Sequence, residues 1–259
     1  MLEKFREAKR EEIERLIRES SRGEASELPA FSKKKELFSI ALKKKRDRVG
    51  HAVIAEYKRA SPSKGDINLT LMPDEAAHMY AAAGASAISV LTESQYFGGQ
   101  LEFLEGMSGA GLPLLRKDFI FHPLQVEATA KTAASALLVI VRMLDDDSFK
   151  EIIDACQKVG LEPVVEVFSK EDLNRAQSLN VEIIQVNNRD LETLKTDFEI
   201  SRQLIPYKRA GELWISASGY ESRTQIDAMG ALGFDAFLVG TSLMSEDDPG
   251  HALAGLTGK

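Results

Sequence analysis

Only one cysteine, Cys156, occurs in the 259 residues, so no disulfide can form within the chain. Cys156 sits in the periodic stretch 149–159, which reads as a helix, and is expected to be an inert, buried thiol. The four histidines, His51, His78, His122 and His251, are scattered and show no HExxH spacing, so no structural or catalytic metal is expected. No run of 18 apolar residues exists, so no membrane span is expected. Positive charge is in deficit: the net charge is −7 and the pI about 5.3. That argues against nucleic-acid binding, which needs basic residues concentrated on one face. It leaves room for a small anion in a locally positive site. The glycine spacing GxGxxG is also missing after the first strand, where Arg59-Ala60-Ser61-Pro62-Ser63-Lys64-Gly65 stands instead. The start, Met1-Leu2-Glu3-Lys4-Phe5-Arg6, is charged and unlike a signal peptide, so a cytoplasmic enzyme is the expectation.

What is present is a repeated alternation of short apolar runs and longer amphipathic ones. The runs 53–57, 87–91, 112–115, 136–141, 162–167, 182–186, 212–216 and 236–239 read as strands, and their starts fall 20 to 34 residues apart. Helical patterns fill the gaps at 73–83, 123–132, 148–159, 170–178, 198–205 and 222–232, with Pro73 and Pro123 placed to open two of them. Strands this apolar, without clean alternation, suit a parallel sheet covered by helices. Eight such units predict a closed (βα)8 TIM barrel over residues 49–259, with an open doubly wound sheet as the rival. Before it, residues 1–20 read as an amphipathic helix with Leu2, Phe5, Ile13, Leu16 and Ile17 on one face. A linker is expected over 21–31 and a second helix over 35–48. This N-terminal helical extension, residues 1–48, is expected to pack across the mouth or rim of the barrel. Its basic run, Lys43 to Arg46, reads as a solvated helix end.

A parallel barrel gathers the C-terminal ends of its strands at one mouth, and the polar residues fall there. Glu56 and Lys58 are two apart and share the inward face of the first strand. They form either a salt bridge closing the barrel top or working groups, and the desolvation cost of a buried pair makes stability alone a weak reason for them. Of Arg116 and Lys117, one enters the mouth and the other points away. A lysine there, its pKa depressed by cationic neighbours, would donate a proton or form a Schiff base; the alternative is a strand-end cation paired with Asp118. Glu166, flanked by valines, suits a general acid or base. Asn187 and Arg189 suit the orientation of a hydroxyl or amine and the gripping of a carboxylate, or else a capped turn. Ser218-Gly219 and Gly240-Thr241 follow the last two strands, where glycine lets backbone N–H groups approach an anion and a short helix from Thr241 would aim its N-terminus at it.

With these residues in hand, the chain resembles the indole-3-glycerol phosphate synthase family. The resemblance is carried by Val53-Ile54-Ala55-Glu56-Tyr57-Lys58-Arg59-Ala60-Ser61-Pro62-Ser63-Lys64-Gly65, Leu91-Thr92-Glu93 with Tyr96-Phe97-Gly98-Gly99, and Leu115-Arg116-Lys117-Asp118-Phe119. It continues through Val165-Glu166-Val167, Asn187-Asn188-Arg189-Asp190-Leu191 and Gly240-Thr241-Ser242-Leu243-Met244, and spans roughly residues 1–245. It implies ring closure of 1-(2-carboxyphenylamino)-1-deoxyribulose 5-phosphate to indole-3-glycerol phosphate, with loss of CO₂ and water and with no cofactor. Lys117 then matches the general acid and Glu166 the proton carrier of the dehydration. Lys58 matches the family's lysine near the substrate carboxylate and phosphate, with Glu56 holding it and sharing in proton transfer. Ser61 falls near the anthranilate carboxylate, Phe97 and Phe119 form an apolar wall, Asn187 and Arg189 orient the substrate, and Ser218, Gly219, Gly240 and Thr241 cradle the phosphate.

Two departures stand out. Ala217 occupies a position where the family usually has glutamate, and Gln185 one where it usually has glycine; Gln185 either narrows the barrel interior or points outward. The implied partner is a small phosphorylated molecule rather than nucleic acid or a membrane. A monomer is compatible with the sequence, and so is docking to a partner enzyme of the pathway. The competing functions are another phosphate-substrate barrel enzyme, an isomerase or a Schiff-base aldolase, and a non-catalytic phosphate-ligand binder.

Overall fold

Eight strands pair in parallel, each with the next in sequence, and the last closes on the first. The computed structural model describes residues 2–22, 31, 35–190 and 193–259. The strands are β1 Ala52–Tyr57, β2 Ala87–Leu91, β3 Leu114–Lys117, β4 Ala136–Ile140, β5 Glu162–Val167, β6 Ile183–Asn187, β7 Leu213–Ala217 and β8 Ala236–Val239. The helices are α1 Leu2–Ser21, α2 Phe38–Val49, α3 Pro73–Ala82, α4 Ser94–Phe97, α5 Phe103–Met107, α6 Pro123–Ala130, α7 Asp146–Val159, α8 Lys170–Ser178, α9 Glu199–Leu204, α10 Arg223–Gly230, α11 Thr241–Met244 and α12 Pro249–Thr257. The fold is a (βα)8 barrel with N-terminal helices.

Two apolar cores follow from the strand period of two. One lies between the strands and the outer helices and holds Val53, Val90, Val139, Val165, Val186 and Phe237. The other fills the barrel with Ile54, Leu115, Leu138, Val164, Ile215 and Leu238. The third strand begins at Leu114, later than the sequence pattern suggests, because Pro113 before it has no N–H to give the ladder. The sixth and seventh run on to Asn187 and Ala217, so Asn187 and Lys117 end their strands rather than follow them. Pro73 and Pro123 do open α3 and α6, and His122 caps α6 by accepting from the Leu124 N–H at 3.1 Å. Cys156 is buried on α7, and burial pushes its thiol up to about 12.

The N-terminal helices part company. α1 lies at the mouth, where Phe5 stacks on Phe119 with ring centroids 4.0 Å apart. α2 does not lie at the mouth. It closes the opposite end, with Phe38 and Leu42 in the inner core beside the first residues of the strands, Ala52, Ala87, Ala136 and Ala236. The Ser39 N–H bonds the Glu162 carboxylate at the start of β5, and Arg46 pairs with Asp235 just before β8 at 2.9 Å. An amphipathic pattern says that a face is buried but not against which end. The expected stripe of α1 is also corrected: Ile17 is exposed, and the buried positions Phe5, Lys9 and Leu16 follow a helical period that excludes it. The Leu2 side chain and most of the linker expected over 21–31 lie outside the described residues.

Lys9 on that stripe meets Asp118 at 3.0 Å, and Arg116 donates to both Asp118 at 2.7 Å and Glu12 at 3.0 Å. Thr92 Oγ1 also donates to Asp118 at 2.7 Å. This buried network locks α1 to the barrel beside the mouth. Among the described residues, no helix is long and apolar enough to cross a membrane.

Candidate active site

β1 sends Glu56 inward at its end, and Lys58 follows on the same side. Lys58 Nζ donates to Glu56 Oε1 at 2.7 Å, and Lys117 Nζ, from the end of β3, donates to Glu56 Oε2 at 2.6 Å. One carboxylate therefore spans two lysines, an oxygen to each. Lys58 reaches on to Thr241 Oγ1 at 2.9 Å. Arg116 is the residue that points away, so the alternative pairing of Lys117 with Asp118 is not found: Asp118 belongs to Arg116, Thr92 and Lys9.

Burial works against the charge on Glu56, but Lys117 and Lys58 outweigh it and hold the carboxyl down at about 2. Lys58 is lowered, first by burial and then by the like charges of Lys117 and Arg189, with Glu56 opposing. Lys117 goes the other way. Burial pulls it down, yet the Glu56 and Glu166 carboxylates carry it above its ordinary value. The expected depression of Lys117 is thus a raising, because its nearest charged partners are anions. Glu166, across the barrel on β5, is raised by burial against the pull of Lys117 and the hydrogen bonds from Gln185 and Asn187.

These groups lie in a cavity of about 260 Å³ at the C-terminal mouth, and every site residue expected from the sequence lines it: Glu56, Lys58, Ser61, Phe97, Lys117, Phe119, Glu166, Asn187, Arg189, Ser218, Gly219, Gly240 and Thr241. Glu93 accepts from the N–H groups of Gln95, Tyr96 and Phe97, which sets the turn carrying Phe97, and Phe97 lies 6.2 Å from Phe119, centroid to centroid. Asn187 accepts from the Arg189 N–H at 3.0 Å, forming the capped turn, and also faces the cavity. Arg189 in turn donates to Leu194 O at 2.7 Å. Asn188, one residue on, points out of the barrel, and its Nδ2 donates to Ser216 Oγ and to the Ala217 and Ser218 carbonyls, holding the turn that leaves β7.

The sequence pattern did not disclose Phe5 or Leu194, which also line the cavity. Phe5 arrives from α1 and could have been found only by knowing where that helix docks. Among the described residues, no group of three or more His, Cys, Asp or Glu side chains is placed to hold a metal.

The two loops over the last strands are shaped for close approach. Gly219 has φ +94°, and a Cβ there would overlap Thr196. Ser218 takes φ +74°, unusual for a residue with a side chain. A Cβ on Gly240 would overlap the Glu56 carboxylate. Gly240 thus makes room for the Lys58–Glu56–Lys117 array as well as opening α11. Gly240→Val is expected to lower kcat by roughly 10²-fold as well as raise KM, since a displacement of about 1 Å costs that much. Steady-state kinetics checks it: a rise in KM alone would confine Gly240 to ligand binding.

Residues 2–256 match the family model described as indole-3-glycerol phosphate synthase. The chain belongs to this family. It is 43% identical over 212 residues to the indole-3-glycerol phosphate synthase of Aquifex aeolicus, covering 81% of this chain and 82% of that one. It is 39% identical over 252 residues to that of Opitutus terrae, covering 95% and 94%. Solved structures share the barrel at low identity. The 3-hexulose-6-phosphate synthase of Salmonella typhimurium has TM-score 0.64 at 15% identity, covering 80% of this chain and 97% of that one. The tryptophan synthase alpha subunit of Legionella pneumophila has TM-score 0.63 at 13% identity, covering 85% and 97%. As an indole-3-glycerol phosphate synthase, the chain is a carboxy-lyase of tryptophan biosynthesis.

Proposed function

We propose that the mouth closes the indole ring as follows. The ring carbon bearing the carboxylate attacks the ketose carbonyl carbon, and Lys117 gives its proton to the carbonyl oxygen. The new C–C bond stands, CO₂ leaves with its bonding pair returned to the ring, and the ring is aromatic again. Loss of the resulting hydroxyl as water then forms the second ring's double bond, and Glu166 carries the proton that this step displaces. Lys117 is suited to its part because Glu56 and Glu166 keep it charged before substrate arrives. Lys58, joined to Thr241, lies between the acid–base pair and the loops that would take the phosphate. Ser218, Gly219, Gly240 and Thr241 are assigned to the phosphate, Ser61 to the anthranilate carboxylate, Asn187 and Arg189 to orientation, and Phe97 and Phe119 to the apolar wall that folds the substrate onto itself.

The observation that carries this reading is the sharing of Glu56 between two lysines. An aldolase forming a Schiff base needs a neutral lysine, and Lys117 is shifted away from neutrality.

The test is an indole-fluorescence assay of the purified protein on the anilino-deoxyribulose phosphate, together with Ala217→Glu. The parent is expected to turn over, and Ala217→Glu is expected not to speed it. Ala217 is buried in the inner core opposite Asn187, so a carboxylate there would add like charge near Glu166. A silent parent would overturn the assignment. A slow parent rescued by Ala217→Glu would mean that the missing carboxylate is needed for dehydration.

A further inference from the structure

Gln185 is fully buried and points into the barrel, one step below Asn187 on β6. It stands beside Glu166 in the ladder, and the pair is flanked by Ile140 on one side and Ile215 on the other. In that apolar ring Gln185 Nε2 donates to Glu166 Oε2 at 2.5 Å, while its own Oε1 is buried with no hydrogen-bond partner. An apolar side chain would fill the same space without leaving a polar atom unpaired. The amide therefore needs a reason beyond packing, and its one partner is the carboxylate proposed to carry a proton.

A carboxylate that carries a proton changes from acceptor to donor. Few neutral side chains can hold it in both states. Glutamine can, since its N–H donates to the carboxylate and its carbonyl accepts from the carboxylic acid. Rotating the amide to present Oε1 breaks no existing bond on that atom, because it has none.

We infer that Gln185 is a positioning residue for Glu166, holding its carboxylate through Nε2 when charged and through Oε1 when protonated, so that the proton is taken and released at one fixed place. This rests on the proposed role of Glu166. Facing Glu166 are Glu56 and Lys58 from β1, Lys117 from β3, and Asn187 and Arg189 from β6; β4 and β7 offer Leu138, Ile140, Ile215 and Ala217, which do not titrate. The Nε2 bond to the charged carboxylate is charge-assisted and outweighs the Oε1 bond to the acid, so removing Gln185 raises Glu166 further.

The experiment compares the parent with Gln185→Met, similar in length but without the amide, and Gln185→Gly. Folding is followed by circular dichroism. The Glu166 carboxyl is titrated by carbon-13 NMR, its signal identified by its loss in Glu166→Gln. The midpoint is expected to move to higher pH in both variants. The acid limb of kcat/KM should move with it, and kcat should fall roughly ten-fold or more, with KM within three-fold of the parent. An unmoved or lowered midpoint in a folded variant overturns the inference, as does failure of both variants to fold, which would make Gln185 a structural residue. A raised midpoint with an unmoved pH–rate profile upholds the contact between Gln185 and Glu166 and instead overturns the proton-carrying role of Glu166.

Discussion

Lys117→Ala is expected to lower turnover by about 10²–10⁴-fold, the range of general acid–base catalysis. Affinity for a product analogue should stay within an order of magnitude, because protonating the carbonyl oxygen matters most in the transition state. The variant also frees Glu56 Oε2 from its 2.6 Å partner and leaves Lys58 as the nearest cation to that carboxylate. Activity within ten-fold of the parent would pass the acid role to Lys58. That lysine is the natural heir, since burial and Arg189 still loosen its proton once Lys117 is gone. Single-turnover fluorescence separates the ring-closing step from product release and decides which step has slowed.

Glu56→Gln should have the second large effect, on stability as well as rate. It removes the anion that two buried lysines share, and breaking a buried ion pair from one side costs about 3–5 kcal/mol. The carboxyl is lowered from 4.5 to about 2 in the folded protein. Its stabilising contribution is therefore complete above the unfolded value and is lost as pH falls through the folded one. Urea unfolding from about pH 5 down to about pH 2 should show a steep loss of stability in the parent and a shallower one in Glu56→Gln. Equal slopes would mean that the two lysines do not depend on this carboxylate for their place.

The barrel was legible because its strands are buried on both faces, so they read as unbroken apolar runs, and because chemistry-bearing residues recur at their ends. The ten site residues expected from that pattern and the three implied by the family resemblance, Ser61, Phe97 and Phe119, line one cavity. What escaped depends on partners distant in sequence. The direction of the Lys117 shift is set by Glu56, 61 residues away, and a strand pattern carries no information about that pairing. Lys9 and Glu12 look like solvent-facing residues until Asp118 and Arg116 are brought over them. Gly240 reads as a phosphate-loop glycine, and only the packed structure reveals that Glu56 fills the space beside it. The short helices α4 and α5 are a turn or so long, too short to establish a period.

The two ends of the barrel are touched by one stretch of chain, α1 at the mouth and α2 at the base, with the Phe31 N–H fastened to Lys131 O between them. Its anchors come from far along the chain: Lys9 to Asp118 spans 109 positions, Ser39 to Glu162 spans 123, and Arg46 to Asp235 spans 189. On a ribosome this stretch emerges before every strand of the barrel, yet its last anchor is not made until the start of β8 has followed. Contacts so distant carry a large loop-closure cost and form late. A segment made before the barrel is thus fastened to both of its ends only by residues made after it, and its complete docking waits for the last strand.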